Sequence, residues 1–266
     1  MAMIHPTAII AAGACLADDV EVGPYVIIDN HVSIGSGTKI MAHAVVREHT
    51  TIGERNQIHM GAIIGHDPQD LAFDSKMESY VRIGNDNIFR EYCTIHRGTK
   101  QDSATCIGDN NFLMVNVHAA HNVQIGDRVI VANNTLLAGY VTVGDRVFIG
   151  GGVAIHQFCS IGRLAMLSGC GRFSQNIPPF VNALERNSVE GLNLVGMRRA
   201  GISPEAVREI KEAYGLLYRT GLLRTDAIER MQACCFESDA AREFLSFVVS
   251  SDRPLVQPRS QNRADE

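Results

Sequence analysis

Val123-Gln124-Ile125-Gly126-Asp127-Arg128-Val129-Ile130-Val131 carries a six-residue unit and half of the next. Ile125 returns six residues later as Val131, and the residue two before each is Val. The same step runs outward in both directions. All eleven positions from Ile4 to Ile64 are aliphatic. From Ile83 to Phe173, fourteen of sixteen are Ile, Val, Leu or Phe, with Gln101 and Ala119 as the exceptions. This is neither a helical 3.6-residue period nor simple alternation. A six-residue unit holds a short strand and a turn, with two inward residues. Three units make an 18-residue triangular coil, and the Ile-Gly or Val-Gly pairs at 107, 125, 143 and 161 recur at that spacing. Coils stack by parallel pairing about 4.8 Å apart, so about ten coils make a prism about 48 Å tall. Each buried aliphatic contributes about 1.5–3 kcal/mol. No coil is stable alone, so the array folds as a stack. An all-β sandwich of short strands would not hold this phase.

The composition suits such a core. The chain has 266 residues, 45% hydrophobic and 20% charged, with no Trp and only 6% aromatics. A net charge of −5 argues against a general nucleic-acid binder. No apolar run approaches the roughly 18 residues of a bilayer span. Met1-Ala2-Met3-Ile4-His5-Pro6 lacks a signal peptide's basic start and apolar core. Seven cysteines show neither CxxC nor framework spacing and read as thiols of a reducing cytoplasm. A cytoplasmic protein without stable membrane insertion is expected.

Interruptions of a solenoid repeat map to loops and often to the binding face. The phase slips by one between Ile64 and Ile83, around Gly65-His66-Asp67-Pro68-Gln69-Asp70-Leu71. A second break is Gly98-Thr99-Lys100-Gln101-Asp102-Ser103. Loops near 65–78 and 98–104 would wall off a cleft. The repeat stops after Phe173, and Pro178-Pro179 ends it. Ser203-Pro204-Glu205 reads as a capped helix start. Helices are expected over 203–219, 225–235 and 238–250. The expected organisation is an all-β parallel β-helix over 1–187, a small α-helical domain over 188–250 and a disordered tail over 251–266. Six basic against three acidic residues between 198 and 224 offer a surface for an acidic carrier or a phosphate.

Asn116-Val117-His118-Ala119-Ala120-His121-Asn122 is the chemical centre of this reading. His118 and His121 lie one before and two after the rung at Ala119, so both should point outward. An outward imidazole on a rigid strand suits a general base, with an ordinary pKa near 6.5. His96 and His156 follow their rungs directly. Gly139 and Gly150-Gly151-Gly152 allow close backbone approach of a ligand. His96, His118 and His121 also invite comparison with a three-histidine metal site. Their spacing, 22 and then 3, does not fit the zinc pattern of hexapeptide carbonic anhydrases, and no metal is expected.

Five stretches carry a family resemblance: His66-Asp67-Pro68-Gln69-Asp70-Leu71, Thr94-Ile95-His96-Arg97-Gly98-Thr99, residues 113–122, Ala132-Asn133-Asn134 and Ile155-His156-Gln157-Phe158-Cys159. Together they resemble the acyl-carrier-protein–UDP-N-acetylglucosamine O-acyltransferases of lipid A biosynthesis. The resemblance implies a left-handed β-helix, a cytoplasmic homotrimer with active sites between adjacent prisms, and no cofactor. The acyl chain would arrive on the phosphopantetheine of acyl carrier protein and pass to the 3-position of a UDP-sugar. It further implies that His121 is the general base and that the Gly139 amide is the oxyanion donor. His118, Gln157, Asn193 and Arg199 would contact the UDP-sugar. Gln69 and Asp70 would hold its glucosamine, His96 and His156 would line the cleft, and Gly169 would limit acyl length.

This chain departs from the family pattern at several of these places. The residue after the base is Asn122 where the family has Asp, and Tyr140 stands where it has His; both are expected among the substrate contacts. Ala72, Ala200 and Val195 replace a Lys, an Arg and an acidic residue. A weaker base suits a better nucleophile, so a 3-amino sugar nucleotide is an alternative acceptor. Transfer to a different nucleotide sugar, or a non-catalytic sugar-nucleotide-binding paralogue, are the other readings.

Overall fold

The structure, a computed structural model, describes residues 3–259. Two- to five-residue strands wind around a single aliphatic core and stack into three faces of 12, nine and eight strands. Neighbours within a face are 18 residues apart along regular coils and pair in parallel, as Gln124–Ile125 does with Thr142–Val143. Ile28, Ile52, Ile58, Ile64, Ile95, Leu113, Leu137 and Ile149 are fully buried rungs. Burial of the rungs fails at the first coil. Ile4 is 49% exposed, since no described coil lies beneath it.

The turns explain the repeated Gly-Asp. Asp127 Oδ1 accepts the Asp109 N–H from the preceding coil at 2.7 Å, and Asp145 Oδ1 accepts the Asp127 N–H at 2.9 Å. A Cβ on Gly108 would overlap that Asp127 carboxylate. At another corner, buried Asn56, Asn87 and Asn111 form a ladder of side-chain oxygens bonded to backbone N–H groups.

Both interruptions are loops, 67–79 and 97–103, between strands Ile63–His66 and Tyr80–Ile83, and between Thr94–His96 and Ala104–Ile107. The one-residue slip appears as a bulge between Ile64 and His66 at Gly65, whose φ is +85°. The second loop adds six residues, so the six-step count passes through it unbroken. Gln101 therefore counts as a rung in sequence but lies in a loop, where it is exposed.

The repeat closes on an antiparallel pair, Val181–Leu184 with Ser188–Leu192. The helical part thus starts at about residue 193 rather than 188. Its helices are α1 (Leu194–Arg199), α2 (Pro204–Tyr218), α3 (Arg224–Ala233) and α4 (Asp239–Ser250). The first was not expected from sequence. Ser203 and Ser238 cap α2 and α4. Arg163 holds Glu243 of α4 in a two-nitrogen ion pair, with contacts at 2.9 and 2.6 Å.

The disordered tail is corrected over 251–259. Leu255 and Val256 are buried, and Gln257–Pro258 adds a parallel strand beside Ser188–Val189. Apolar Leu255 and Val256 inside a polar stretch are what a composition reading averages away. Residues 260–266 of that expected tail lie outside the described residues.

Candidate active site

One outward column organises the site. On the nine-stranded face Thr94, His118, Leu136, Ala154 and Arg172 are successive register partners, one per coil. Val117 and Ala119, the flanking inward residues, are fully buried. Strand alternation therefore forces His118 outward. The column lies in a cleft of about 800 Å3 that Gln69, His96, His118, His121, Gly139, His156 and Gln157 also line.

His121 sits in the turn after this strand. Its Nδ1 is 3.1 Å from Asn122 Oδ1. The same oxygen accepts the Thr99 backbone N–H and the Thr99 hydroxyl, each at 3.0 Å. A backbone N–H can only donate, so the amide oxygen must face it. The imidazole nitrogen facing that oxygen must then carry the proton. In the neutral ring Nε2 is then the acceptor. Asn122 is only 7% exposed, and its backbone N–H is held by the Thr105 hydroxyl at 2.8 Å. Tyr140 packs edge-on to the His121 ring at 5.3 Å, stacks on Phe158 at 5.0 Å and bonds Thr99 Oγ1 at 3.0 Å. Asn122 and Tyr140, expected as substrate contacts, therefore support the imidazole and are not in the cleft lining.

Gly139 lies against the same ring. A Cβ there would come within 2.5 Å of His121 Nε2. The Gly139 N–H has no partner among the described residues, whereas its carbonyl accepts the Phe158 N–H at 3.1 Å. A free N–H beside the imidazole can stabilise negative charge developing on a substrate oxygen.

His118 Nδ1 and Thr94 Oγ1 are 2.7 Å apart. Burial, then the neighbouring His121, lowers the His118 pKa. His96 is 6% exposed and meets the His118 ring edge-on at 4.8 Å. Burial first, and then His118, His66 and His121, push its pKa down to about 4. His96 and His118 are therefore neutral at pH 7. Among the described residues no three His, Cys, Asp or Glu side chains are arranged to hold a metal ion.

Gln69 reaches the cleft from the 67–79 loop, while the Asp70 carboxylate accepts the Ala72 N–H within that loop. Arg97, buried and overlooked in the sequence, pins the loop. It donates to Asp67 Oδ1 at 2.9 Å, Met77 O at 2.8 Å and Ser75 O at 3.0 Å, and stacks over Phe73.

Gly169, Asn193 and Arg199 are not among this chain's cleft residues. Gly169 packs on the Gly151 backbone. Asn193 caps α1 through Oδ1 and donates to Leu164 O, each at 2.9 Å. Arg199 is exposed at the end of α1. In the basic stretch, Arg224 is engaged by the carbonyls of Val248, Ser251 and Arg253. Two other cleft residues, Arg172 and Arg186, escaped sequence reading. Arg172 precedes a rung as many residue types do, and Arg186 lies beyond the repeat. Thr105 left a weak signal, a hydroxyl at an inward position that is elsewhere mostly aliphatic.

Residues 176–256 match the family described as Udp N-acetylglucosamine O-acyltransferase, Domain 2. Residues 31–66 and 107–139 match bacterial transferase hexapeptide (six repeats). The acyl-[acyl-carrier-protein]–UDP-N-acetylglucosamine O-acyltransferase of Syntrophobacter fumaroxidans is 43% identical over 256 residues, which are 95% of this chain and 99% of that relative. The chain belongs to this O-acyltransferase family. LpxA from Acinetobacter baumannii superposes with a TM-score of 0.91 at 40% identity, covering 96% of this chain and 100% of that one. The Francisella novicida UDP-N-acetylglucosamine acyltransferase gives 0.93 at 33% identity, covering 98% and 95%. The fold is thus the left-handed parallel β-helix with a small helical C-terminal domain that the resemblance implied.

Proposed function

We propose that this chain transfers a 3-hydroxyacyl group from acyl carrier protein to the 3-position of UDP-N-acetylglucosamine, the first step of lipid A biosynthesis. Family membership supports the reaction class. The observation that carries the mechanism is the Thr99–Asn122–His121 chain, which leaves Nε2 unprotonated beside the free Gly139 N–H. In this mechanism His121 Nε2 takes the proton of the acceptor as its oxygen attacks the thioester carbonyl. The oxyanion lies against the Gly139 N–H. Collapse breaks the carbon–sulfur bond, and the imidazolium returns its proton to the departing thiolate. His118, His156, Gln157, Gln69 and Asp70 orient the sugar nucleotide. The thioester already carries an activated acyl group, so the proposed reaction needs no cofactor or metal.

The active assembly is a cytoplasmic homotrimer. Leu71 at 109% exposure and Leu136 at 50% are apolar side chains left uncovered beside the cleft. A neighbouring prism would cover them. It would also bring Asn193, Arg199 and the acyl-limiting Gly169 to a cleft they do not line in one chain. No helix among the described residues is long and apolar enough to cross a membrane, which is compatible with this location.

Asn122 favours a second acceptor, the 3-amino sugar nucleotide. An amide orients the imidazole but adds no negative charge to stabilise its protonated form, and an amine needs a weaker base than a hydroxyl. Mass spectrometry of products formed from a panel of hydroxyacyl carriers and both UDP-sugars tests the two readings. A preference for the 3-hydroxyl sugar sinks the amine acceptor. His121→Ala should abolish transfer and leave the thermal midpoint unchanged. Turnover by no carrier, with sugar nucleotide still bound, would make the chain a binding paralogue.

A further inference from the structure

Two arginines close one end of the cleft. Arg172 stands three coils beyond His118 in the same register column, about 14 Å away at the parallel-strand spacing. Arg186 forms a bridge with Arg172 in the next layer. Backbone bonds hold the two segments together: the Arg172 N–H donates to Glu185 O at 2.7 Å and the Asn187 N–H to Arg172 O at 3.2 Å. Asn187 also binds the Ser174 N–H and hydroxyl, and Ser174 lines the cleft beside the pair. Neither guanidinium has an ion-pair or side-chain hydrogen-bond partner among the described residues. The adjacent carboxylate, Glu185, is engaged by Arg259 at 2.9 Å. Among the described residues no carboxylate lines the cleft. In a chain of net charge −5, the described residues give this concavity two unneutralised cations and no anion.

From this arrangement we infer that Arg172 and Arg186 form a binding site for a phosphate ester at the end of the cleft remote from the base. Paired guanidinium forks match phosphate oxygens in geometry and charge. The inference rests on the proposed acyl transfer for the identity of its ligand. Both substrates of that reaction carry phosphate: the sugar nucleotide a diphosphate, the carrier arm a phosphodiester. Between base and arginines the column is apolar, Leu136 and Ala154, so a ligand reaching the pair from the base crosses two coils without polar partners on that column.

The test uses the full chain and Arg172→Gln/Arg186→Gln, at two exposed side chains whose loss leaves the core intact. Calorimetry with inorganic pyrophosphate and with pantetheine 4′-phosphate reads the site without turnover. Steady-state kinetics reads KM for acyl carrier and for UDP-sugar. At least one phosphate probe should bind about tenfold more weakly to the double variant. A matching rise in KM for acyl carrier alone assigns the site to the carrier arm, and a rise for UDP-sugar alone assigns it to the diphosphate. Affinities for both probes within twofold of wild type overturn the site, as does a changed acyl-length preference with both affinities unmoved. Weakened probe binding in a protein that transfers no acyl group would keep the site and reject the proposed reaction.

Discussion

At the scale of single residues, the base is defined by its support. His121 alone could be read as any surface histidine. Thr99 fixes the orientation of the Asn122 amide, and that amide fixes the imidazole tautomer. Asn122→Asp would place a carboxylate 3.1 Å from Nδ1 and stabilise the imidazolium. The His121 pKa then rises, so its free base is populated only at higher pH. The acid limb of kcat/KM should move up by about one pH unit; an unmoved limb would show that this residue does not tune the base. His96 supplies a second pH effect. Its folded pKa of about 4 lies below the ordinary 6.5, so the unfolded chain takes up the proton first. Its contribution to stability is complete above pH 6.5 and is lost as pH falls from 6.5 toward 4. The gap corresponds to about 3 kcal/mol. Chemical denaturation across that range should show wild type losing more stability than His96→Gln, and parallel profiles would contradict the burial argument.

At the scale of elements, the two loops do different work. The 97–103 loop presents Thr99 to Asn122, and the 67–79 loop presents Gln69 to the cleft. The breaks in the repeat located both loops, but not their attachments. Those depend on Arg97, a residue that looks solvent-facing in sequence and is buried by Asp67, Phe73 and two carbonyls. Arg97→Ala should loosen the 67–79 loop, at a stability cost of about 1–3 kcal/mol for the lost charged hydrogen bonds. Hydrogen exchange over 67–79 should accelerate while the rungs at Ile64 and Ile83 stay protected. KM for the sugar nucleotide should rise about tenfold, since Gln69 loses its fixed position. Unchanged exchange in that loop would remove Arg97 from this role. The same distinction holds at the other end of the chain. Ser203 and Pro204 marked the start of α2 through local chemistry. The short α1 was missed because Asn193 caps it while bonding to Leu164, 29 residues away.

At the scale of the whole molecule, the prism is a rigid ladder on which chemistry recurs at fixed spacing. Its uncovered apolar side chains, Leu71 foremost, are those the proposed trimer would cover. Light scattering should give a mass near three times the 29.0 kDa of one chain, and a monomer would refute the trimer. The six-residue period determined the coil, the inward and outward faces and the direction of His118, because each follows from strand alternation over neighbouring residues. The same period placed the two loops, because an interruption is visible wherever repetition is expected. Tertiary structure alone decided which residues meet from different coils. Thr94 reaches His118, Thr105 joins His96 to Asn122, and Arg172 bridges Arg186 through contacts spanning 9 to 24 residues. A local pattern cannot specify such partners. Stacking in space, rather than adjacency along the chain, sets which side chains share a hydrogen bond or leave a charge without one.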